Sequence, residues 1–377
     1  MTARVVLFGA TGYTGELTAR RLVADGAQPL LVGRRETAVQ ALAGELGGLD
    51  HAVADADRPD QLRFLLEPGD VLISTVGPFL RWGVPALRAA VDVGAHYLDC
   101  TGEPPFIRRV FQEFGPPALR KGLGVLTAMG YDYLPGNLAG ALALEAARTQ
   151  NATAASAASV QIGYFLSGQV GPDSISSGTR ASAAGVLLEP SFGWRGGRLV
   201  VERGAARVRR FDDGQKARAG ISVGGSEHFT LPRSHPGLDQ VGVYLGWAGR
   251  ASRAVQIGSA VGDVVFRLPG LRAGAARLVG RTPPSRSRGP GPQARADTGT
   301  LIVAEALDAG GNRLSRVVLR GPNPYDLTAG LLSWAARRIA AGGLLGHGAL
   351  GPVDAFGLTT LAHGAAGLGL LADPDRP

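Results

Sequence analysis

At 377 residues the chain has room for two domains, and its 45% hydrophobic content can give them a sizeable core. Its net charge of +8 is almost all arginine, with Lys121 and Lys216 the only lysines; it suits an acidic partner or simple compositional bias, and no nucleic-acid motif accompanies it. A single cysteine, Cys100, excludes an internal disulfide and a cysteine metal cluster, and six histidines without ligand spacing leave no metal expected.

The first predicted strand, residues 5–8, is a short apolar run of the kind buried in parallel sheets. It starts so early that no signal peptide fits, and no run of about 18 uncharged apolar residues follows anywhere, so a cytoplasmic protein is expected. Gly9, Gly12 and Gly15 come next, and a helical run at 16–25 stops at Gly26. Gly9 permits a tight turn, Gly12 lets a pyrophosphate approach the backbone, and Gly15 lets the helix pack on the strand. The helix N-terminus then offers N–H groups and a positive dipole end to phosphate. The spacing is G-x-x-G-x-x-G, not the commonest fingerprint, but the strand–turn–helix context is the one a dinucleotide site requires. The competing reading is a glycine-rich turn with no ligand. Thr11, Tyr13 and Thr14 share the turn and join the candidate cofactor residues.

Strands at 29–34, 51–55, 70–75, 96–99 and 124–127 alternate with helical segments at 36–46, 58–66, 84–93, 105–114 and 116–121. Such alternation implies right-handed crossovers and a doubly wound parallel sheet, an α/β Rossmann domain. Pro135 suits the first turn of a helix reaching about 147. Near Gln150 the pattern changes. A strand at 160–166 and a helix at 176–188 precede strands at 199–202, 206–211, 227–231 and 241–245, then a hairpin of 300–307 and 313–319 around a turn-rich loop at 308–312. This reads as an α+β domain with a mostly antiparallel sheet. Helices at 325–341 and 350–372 close the chain. The expected organisation is 1–148, 149–322, and 323–377 packing back on the first domain.

Candidate chemistry gathers at the strand ends, where ligands bind in open α/β sheets. Gly33-Arg34-Arg35 ends the second strand. An NAD site usually has an acid there for the ribose 2′-OH, whereas arginine pairs with the 2′-phosphate of NADP. No acid precedes Arg34 in the strand, which favours NADP(H) over NAD(H). Asp55 either accepts from the adenine amino group or caps a helix. Thr75, Val76, Gly77 and Pro78 should border the ribose or nicotinamide, with Phe79 packing there or in the core. Asp99 and Glu103 flank the fifth exit with Gly102, as acids near the reacting carbon or as loop hydrogen-bonders. Tyr131, Asp132 and Tyr133 at the sixth exit are the catalytic candidates: one could give a proton to substrate, or Asp132 could serve the next helix's free N–H groups. Tyr-x-x-x-Lys, G-x-S-x-G and Walker sequences are absent.

Gly9-Ala-Thr-Gly-Tyr-Thr-Gly15, Gly33-Arg-Arg35, Val76-Gly-Pro-Phe79, Tyr97-Leu-Asp-Cys-Thr-Gly-Glu103 and Gly130-Tyr-Asp-Tyr-Leu-Pro135 together resemble the saccharopine dehydrogenase-like oxidoreductases, which include the bacterial trans-acting enoyl reductases. Ser177-Gly-Thr179 and Pro352-Val-Asp-Ala-Phe-Gly357 look like the same family. Ser74 and Thr75 depart from the family's usual Asn-containing exit, and Gly-Tyr-Asp-Tyr from its common Gly-Phe-Asp-Ser. The resemblance implies an NAD(P)-binding Rossmann domain interrupted by a second α/β domain. It also implies NADPH-dependent hydride transfer to a C=C or C=N bond of a small-molecule or carrier-bound acyl, lipid-like or biosynthetic intermediate. The alternatives are a non-catalytic NADP-binding scaffold at a lipid surface or assembly, and a saccharopine-type amino-acid dehydrogenase. A homodimer is entertained. The basic stretch 267–295 reads either as a solvated arginine face with a loop, or as a docking face for an anionic membrane or an acidic carrier protein.

Overall fold

The computed structural model describes residues 3–150, 157–169, 171, 189–246, 249–265 and 289–373. The expected helix at 176–188 and most of the basic stretch 267–295 lie outside them. The chain forms two compact units. The first comprises Met1–Thr101, Phe106–Leu134 and Asn323–Leu368; the second comprises Gly102–Pro105, Pro135–Pro322 and Gly369–Pro377.

The first unit opens with β1 (Val5–Phe8), α1 (Tyr13–Ala24), β2 (Leu30–Gly33), α2 (Glu36–Glu45), β3 (His51–Val53), α3 (Pro59–Leu65), β4 (Val71–Ser74), α4 (Phe79–Val93) and β5 (His96–Asp99). A helical stretch follows: α5 (Pro104–Arg109, its first two residues in the second unit), a π turn at Val110–Phe114, and α6 (Gly115–Arg120). Then comes β6 (Gly124–Leu126). Strand order is β6-β5-β4-β1-β2-β3, all parallel, so the winding reverses between β1 and β4. The apolar runs that predict these strands fill both faces of the sheet: Leu7, Leu31, Leu72 and Leu98 are fully buried.

Most of the second unit follows in sequence, with α7 (Leu134–Gln150) leading into it. Its sheet consists of β7 (Ser159–Gly168), β8 (Pro190–Arg195), β9 (Arg198–Arg203), β10 (Val208–Asp212), β11 (Ala217–Ser222), β12 (Gln240–Leu245), β13 (Thr298–Leu307) and β14 (Arg313–Gly321). The main order is β10-β11-β12-β7-β13-β14, antiparallel except for the β12–β7 pair, with the β8–β9 hairpin branching from β12. The helices are α8 (Glu227–Ser234), α9 (Ser252–Val265) and α10 (Pro292–Ala296). Phe165, Phe211, Tyr244, Leu301, Val303 and Val318 form a buried cluster.

The expected boundary near 148 falls instead after Leu134. Glycines draw α7 onto the second sheet: a Cβ on Gly140 would come within 2.9 Å of Ile162 of β7 and 2.8 Å of Leu231 of α8. Residues 227–231, expected as a strand, are helical. Their polar–apolar alternation imitates a half-buried strand, but Glu227, His228, Thr230 and Leu231 are all buried. Among the described residues the segment is not paired to any strand, so its backbone groups are met within the helix.

The last segment returns to the first unit with α11 (Pro324–Ala340), β15 (Gly348–Ala349), α12 (Pro352–Phe356) and α13 (Leu358–Gly367). On α11, Ser333 Oγ donates to Asp25 Oδ2 at 2.7 Å, tying it to the end of α1. β15 adds a seventh parallel strand beside β6, Gly348 opposite Gly124. The single helix expected at 350–372 is broken at Gly357, whose φ of +75° no β-carbon tolerates easily. Its last residues form β16 (Leu371–Ala372), which pairs with β14 in the second unit.

Candidate functional site

Because all the strands of the first sheet are parallel, the exits of β1 through β6 share one edge, and the reversal between β1 and β4 opens a crevice there. The glycine turn lies at that point. Gly9 has φ +88°, and a Cβ on it would sit 2.7 Å from Val76 Cγ2 and 2.8 Å from Thr75 Oγ1. Thr75 in turn donates to the carbonyls of Phe8 and Gly9, at 3.1 and 3.2 Å, which locks the β4 exit to the β1 exit. Gly12 caps α1 in an extended conformation with no side-chain cap, which leaves the Thr14 and Gly15 N–H groups for another acceptor. Thr11 lies against the end of β2, its methyl 3.3 Å from where a Gly33 Cβ would be. Thr14 opens α1, and Tyr13 meets Tyr325 of α11 edge-on with ring centroids 5.1 Å apart.

Gly15 is where helix and strand touch: a Cβ there would run into the Gly9 carbonyl oxygen. Two effects compete in Gly15→Ala. Helix propensity favours alanine by about 1 kcal/mol. Overpacking against rigid backbone costs about 1–3 kcal/mol and should win. We therefore expect Gly15→Ala to lower Tm and to weaken dinucleotide binding, since α1 must back away from the turn. Calorimetry finding unchanged Tm and binding would refute this packing role.

Arg34 and Arg35 follow β2, both exposed, and neither makes an ion pair or side-chain hydrogen bond among the described residues. Most other arginines at this end of the chain are engaged, as Arg20 is with Glu16 and Glu45 at 2.9 Å. Asp55 is half-buried and its Oδ1 accepts from the Asp57 amide at 3.2 Å, so its carboxylate serves its own turn. Gly77 and Pro78 are exposed, joined by a cis peptide, and Pro78 precedes the first turn of α4. Phe79 is buried against Phe106, ring centroids 5.8 Å apart, and belongs to the core. Gly102, with Glu103, falls in the second unit.

At the β5 exit Asp99 is fully buried, and Oδ1 accepts from the Thr101 amide at 2.9 Å, the Thr127 hydroxyl at 3.0 Å and the Ala128 amide at 3.0 Å. Burial pushes its carboxyl up to about 6, against the opposing pull of those bonds. This is the loop-bonding role. Desolvation, with the Asp99 carboxylate beside it, raises the Cys100 thiol above its ordinary value.

The three catalytic candidates at the β6 exit are not equivalent. Tyr131 and Tyr133 are buried, at 6% and 0% exposure, and burial raises the Tyr131 hydroxyl well above its ordinary value. Asp132 between them is half-buried. Its Oδ1 is enclosed and has no hydrogen-bond partner among the described residues, and desolvation pushes the carboxyl up to about 7. A carboxyl poised near neutrality can hold a proton and release it. Nothing in the sequence marked Thr328 of α11, whose hydroxyl accepts from the Tyr131 amide at 3.0 Å.

The cradle fits a dinucleotide. The two positions a Cβ would fill lie beside an uncapped helix start, and two unengaged guanidiniums stand at the neighbouring strand exit. Residues 5–121 match the family model for the saccharopine dehydrogenase NADP binding domain. A Mycobacterium tuberculosis protein provisionally named a trans-acting enoyl reductase is 33% identical over 193 residues, 50% of this chain and 45% of that protein. A trans-acting enoyl reductase of Mycobacterium ulcerans is 34% identical over 140 residues, 36% of this chain and 34% of that protein. The chain thus spans less than half the length of these curated relatives. Apo saccharopine dehydrogenase (L-Glu forming) of Saccharomyces cerevisiae superposes with a TM-score of 0.60 at 14% identity, covering 98% of this chain and 99% of the other, which shows a shared fold. No helix among the described residues is long and apolar enough to cross a membrane.

Proposed function

We propose, from a first unit whose residues 5–121 match the saccharopine dehydrogenase NADP binding domain model, that the chain is an NADPH-dependent reductase of a C=C or C=N bond in an acyl, lipid-like or biosynthetic intermediate. The observation that carries this reading is the pair of unengaged guanidiniums, Arg34 and Arg35, next to the glycine turn at the sheet's reversal point. Their charge and planar donors match a 2′-phosphate, and the N-terminal turn of α1 matches a pyrophosphate. When bound, NADPH supplies a hydride to one atom of the double bond and leaves as NADP+. The other atom must receive a proton to balance the two electrons. Asp132 provides it and is recharged from solvent, because its half-buried carboxyl is protonated over the lower part of the neutral range. The names of the mycobacterial relatives support an enoyl group as the first substrate class to try.

The test is calorimetric titration with NADPH and NADH, followed by nicotinamide absorbance with crotonyl-coenzyme A, longer enoyl thioesters, imines, amino acids and keto acids. NADPH preference with turnover of a thioester or imine is expected. Turnover of amino or keto acids alone would move the chain to the amino-acid dehydrogenases, and binding without turnover on any class would make it a scaffold.

A further inference from the structure

The β6 exit is held more tightly than a strand end requires. Ala128 sits in the left-handed region at φ +59°, a conformation unfavourable for a residue with a β-carbon. Its amide donates to Asp99 Oδ1 at 3.0 Å, and the next amide, of Met129, donates to the Asp99 carbonyl at 2.8 Å. Two residues on, the Tyr131 amide donates to Thr328 Oγ1 at 3.0 Å, and that hydroxyl donates to the Pro324 carbonyl at 2.7 Å. The Tyr133 amide closes the turn on the Ala128 carbonyl at 3.0 Å. Gly130 passes between the two anchors: a Cβ on it would stand 2.9 Å from Thr328 Cγ2 and 3.2 Å from Cys100 Cβ.

β5 and α11, far apart in sequence, thus commit polar groups to one short turn. The half-buried acid on that turn takes no share in these bonds through its enclosed Oδ1. Its direction is therefore set by the backbone beneath it, and the backbone is set by Asp99 and Thr328. We infer that Asp99 and Thr328 are positioning residues, which clamp the 128–133 turn and thereby aim the Asp132 carboxyl. The inference rests on Asp132 being the proton donor.

Thr328→Val keeps the side chain's shape and removes the acceptor of the Tyr131 amide; Thr328→Ser restores it. Both, with Asp99→Ala and Asp132→Asn, should be measured for kcat, KM, NADPH affinity and Tm, with crotonyl-coenzyme A or whichever thioester or imine turns over. Misaiming a reacting group by about an ångström costs up to 10²-fold. Thr328→Val should accordingly lower kcat by about 10–100-fold, with NADPH affinity unchanged, because the glycine turn is untouched. Thr328→Ser should recover most of the loss. The loss of activity above neutrality should survive in Thr328→Val, at reduced height, because the acid is displaced and not removed. Asp99→Ala removes the acceptor of all three donors and should lower kcat as Thr328→Val does; should it not fold, the Thr328 pair decides alone. Asp132→Asn inactive with Thr328→Val at wild-type kcat would overturn the clamp and spare the donor. Lower Tm in Thr328→Val with kcat per folded molecule intact would reduce it to a structural bond. Wild-type turnover in Asp132→Asn would overturn both.

Discussion

Asp132→Asn should give a folded protein that binds NADPH normally and turns over about 10²–10⁴-fold more slowly, the usual cost of losing a positioned proton donor. The amide matches the carboxyl in size, so the 128–133 turn keeps its bonds. The wild-type pH profile carries the same signature. A donor works in its protonated form, and burial places this one at about 7, so kcat should fall as pH rises through that value. The decline should vanish in the variant, since an amide does not titrate. Stability should show a parallel effect. In the unfolded chain the carboxyl titrates near its ordinary value of 3.8, whereas the folded form keeps its proton up to about 7. Between those values the folded state binds more protons than the unfolded one, so this group's contribution to stability declines as pH rises. Asp132→Asn should therefore raise Tm above pH 7 and change it little near pH 4. Unchanged turnover in a variant with raised Tm would show a buried acid without a catalytic role.

Replacing both Arg34 and Arg35 by Ala should weaken NADPH binding by about 1–3 kcal/mol, roughly 5–150-fold, and leave NADH nearly unaffected. The asymmetry is the informative part. The 2′-phosphate distinguishes the two cofactors, and both guanidiniums are exposed and unengaged among the described residues, so removing them strands no acid. High salt should shrink the difference, because exposed charges are screened within about 10 Å. Equal losses for the two cofactors, measured calorimetrically, would sink the 2′-phosphate assignment.

The central strands of the first sheet, β1, β2 and β4, were legible because each is an apolar run with a glycine in or just beyond its exit, and the parallel arrangement follows from the helices between them. The glycine turn was legible for the same reason: Gly9 and Gly15 stand where the backbone admits no side chain. Other features left no local trace. β15 is two residues long, too short to show a strand pattern, and pairs Gly348 with Gly124. Thr328 reads as an ordinary helical residue, and only the folded chain brings it to the Tyr131 amide. Residues 227–231 misled because so short a mixed segment carries no periodicity that separates strand from helix, and its burial on four of five positions shows only in the fold. Tyr131, Asp132 and Tyr133 looked equivalent in sequence, and burial separates them.

The first unit is assembled from three stretches of chain, the last being Asn323–Leu368. On the ribosome, the N-terminal strands emerge long before α11 and β15 are made. Until then the β6 edge that receives Gly348 stands open, and Asp25 lacks its Ser333 partner. A nascent chain thus carries a bare strand edge through synthesis of nearly the whole second unit, the circumstance in which chaperones are recruited and misassembly occurs. The clamp on Tyr131 is completed by the same late arrival, so the cofactor cradle can take shape during translation, while the aim of Asp132 is fixed only when Thr328 has been added.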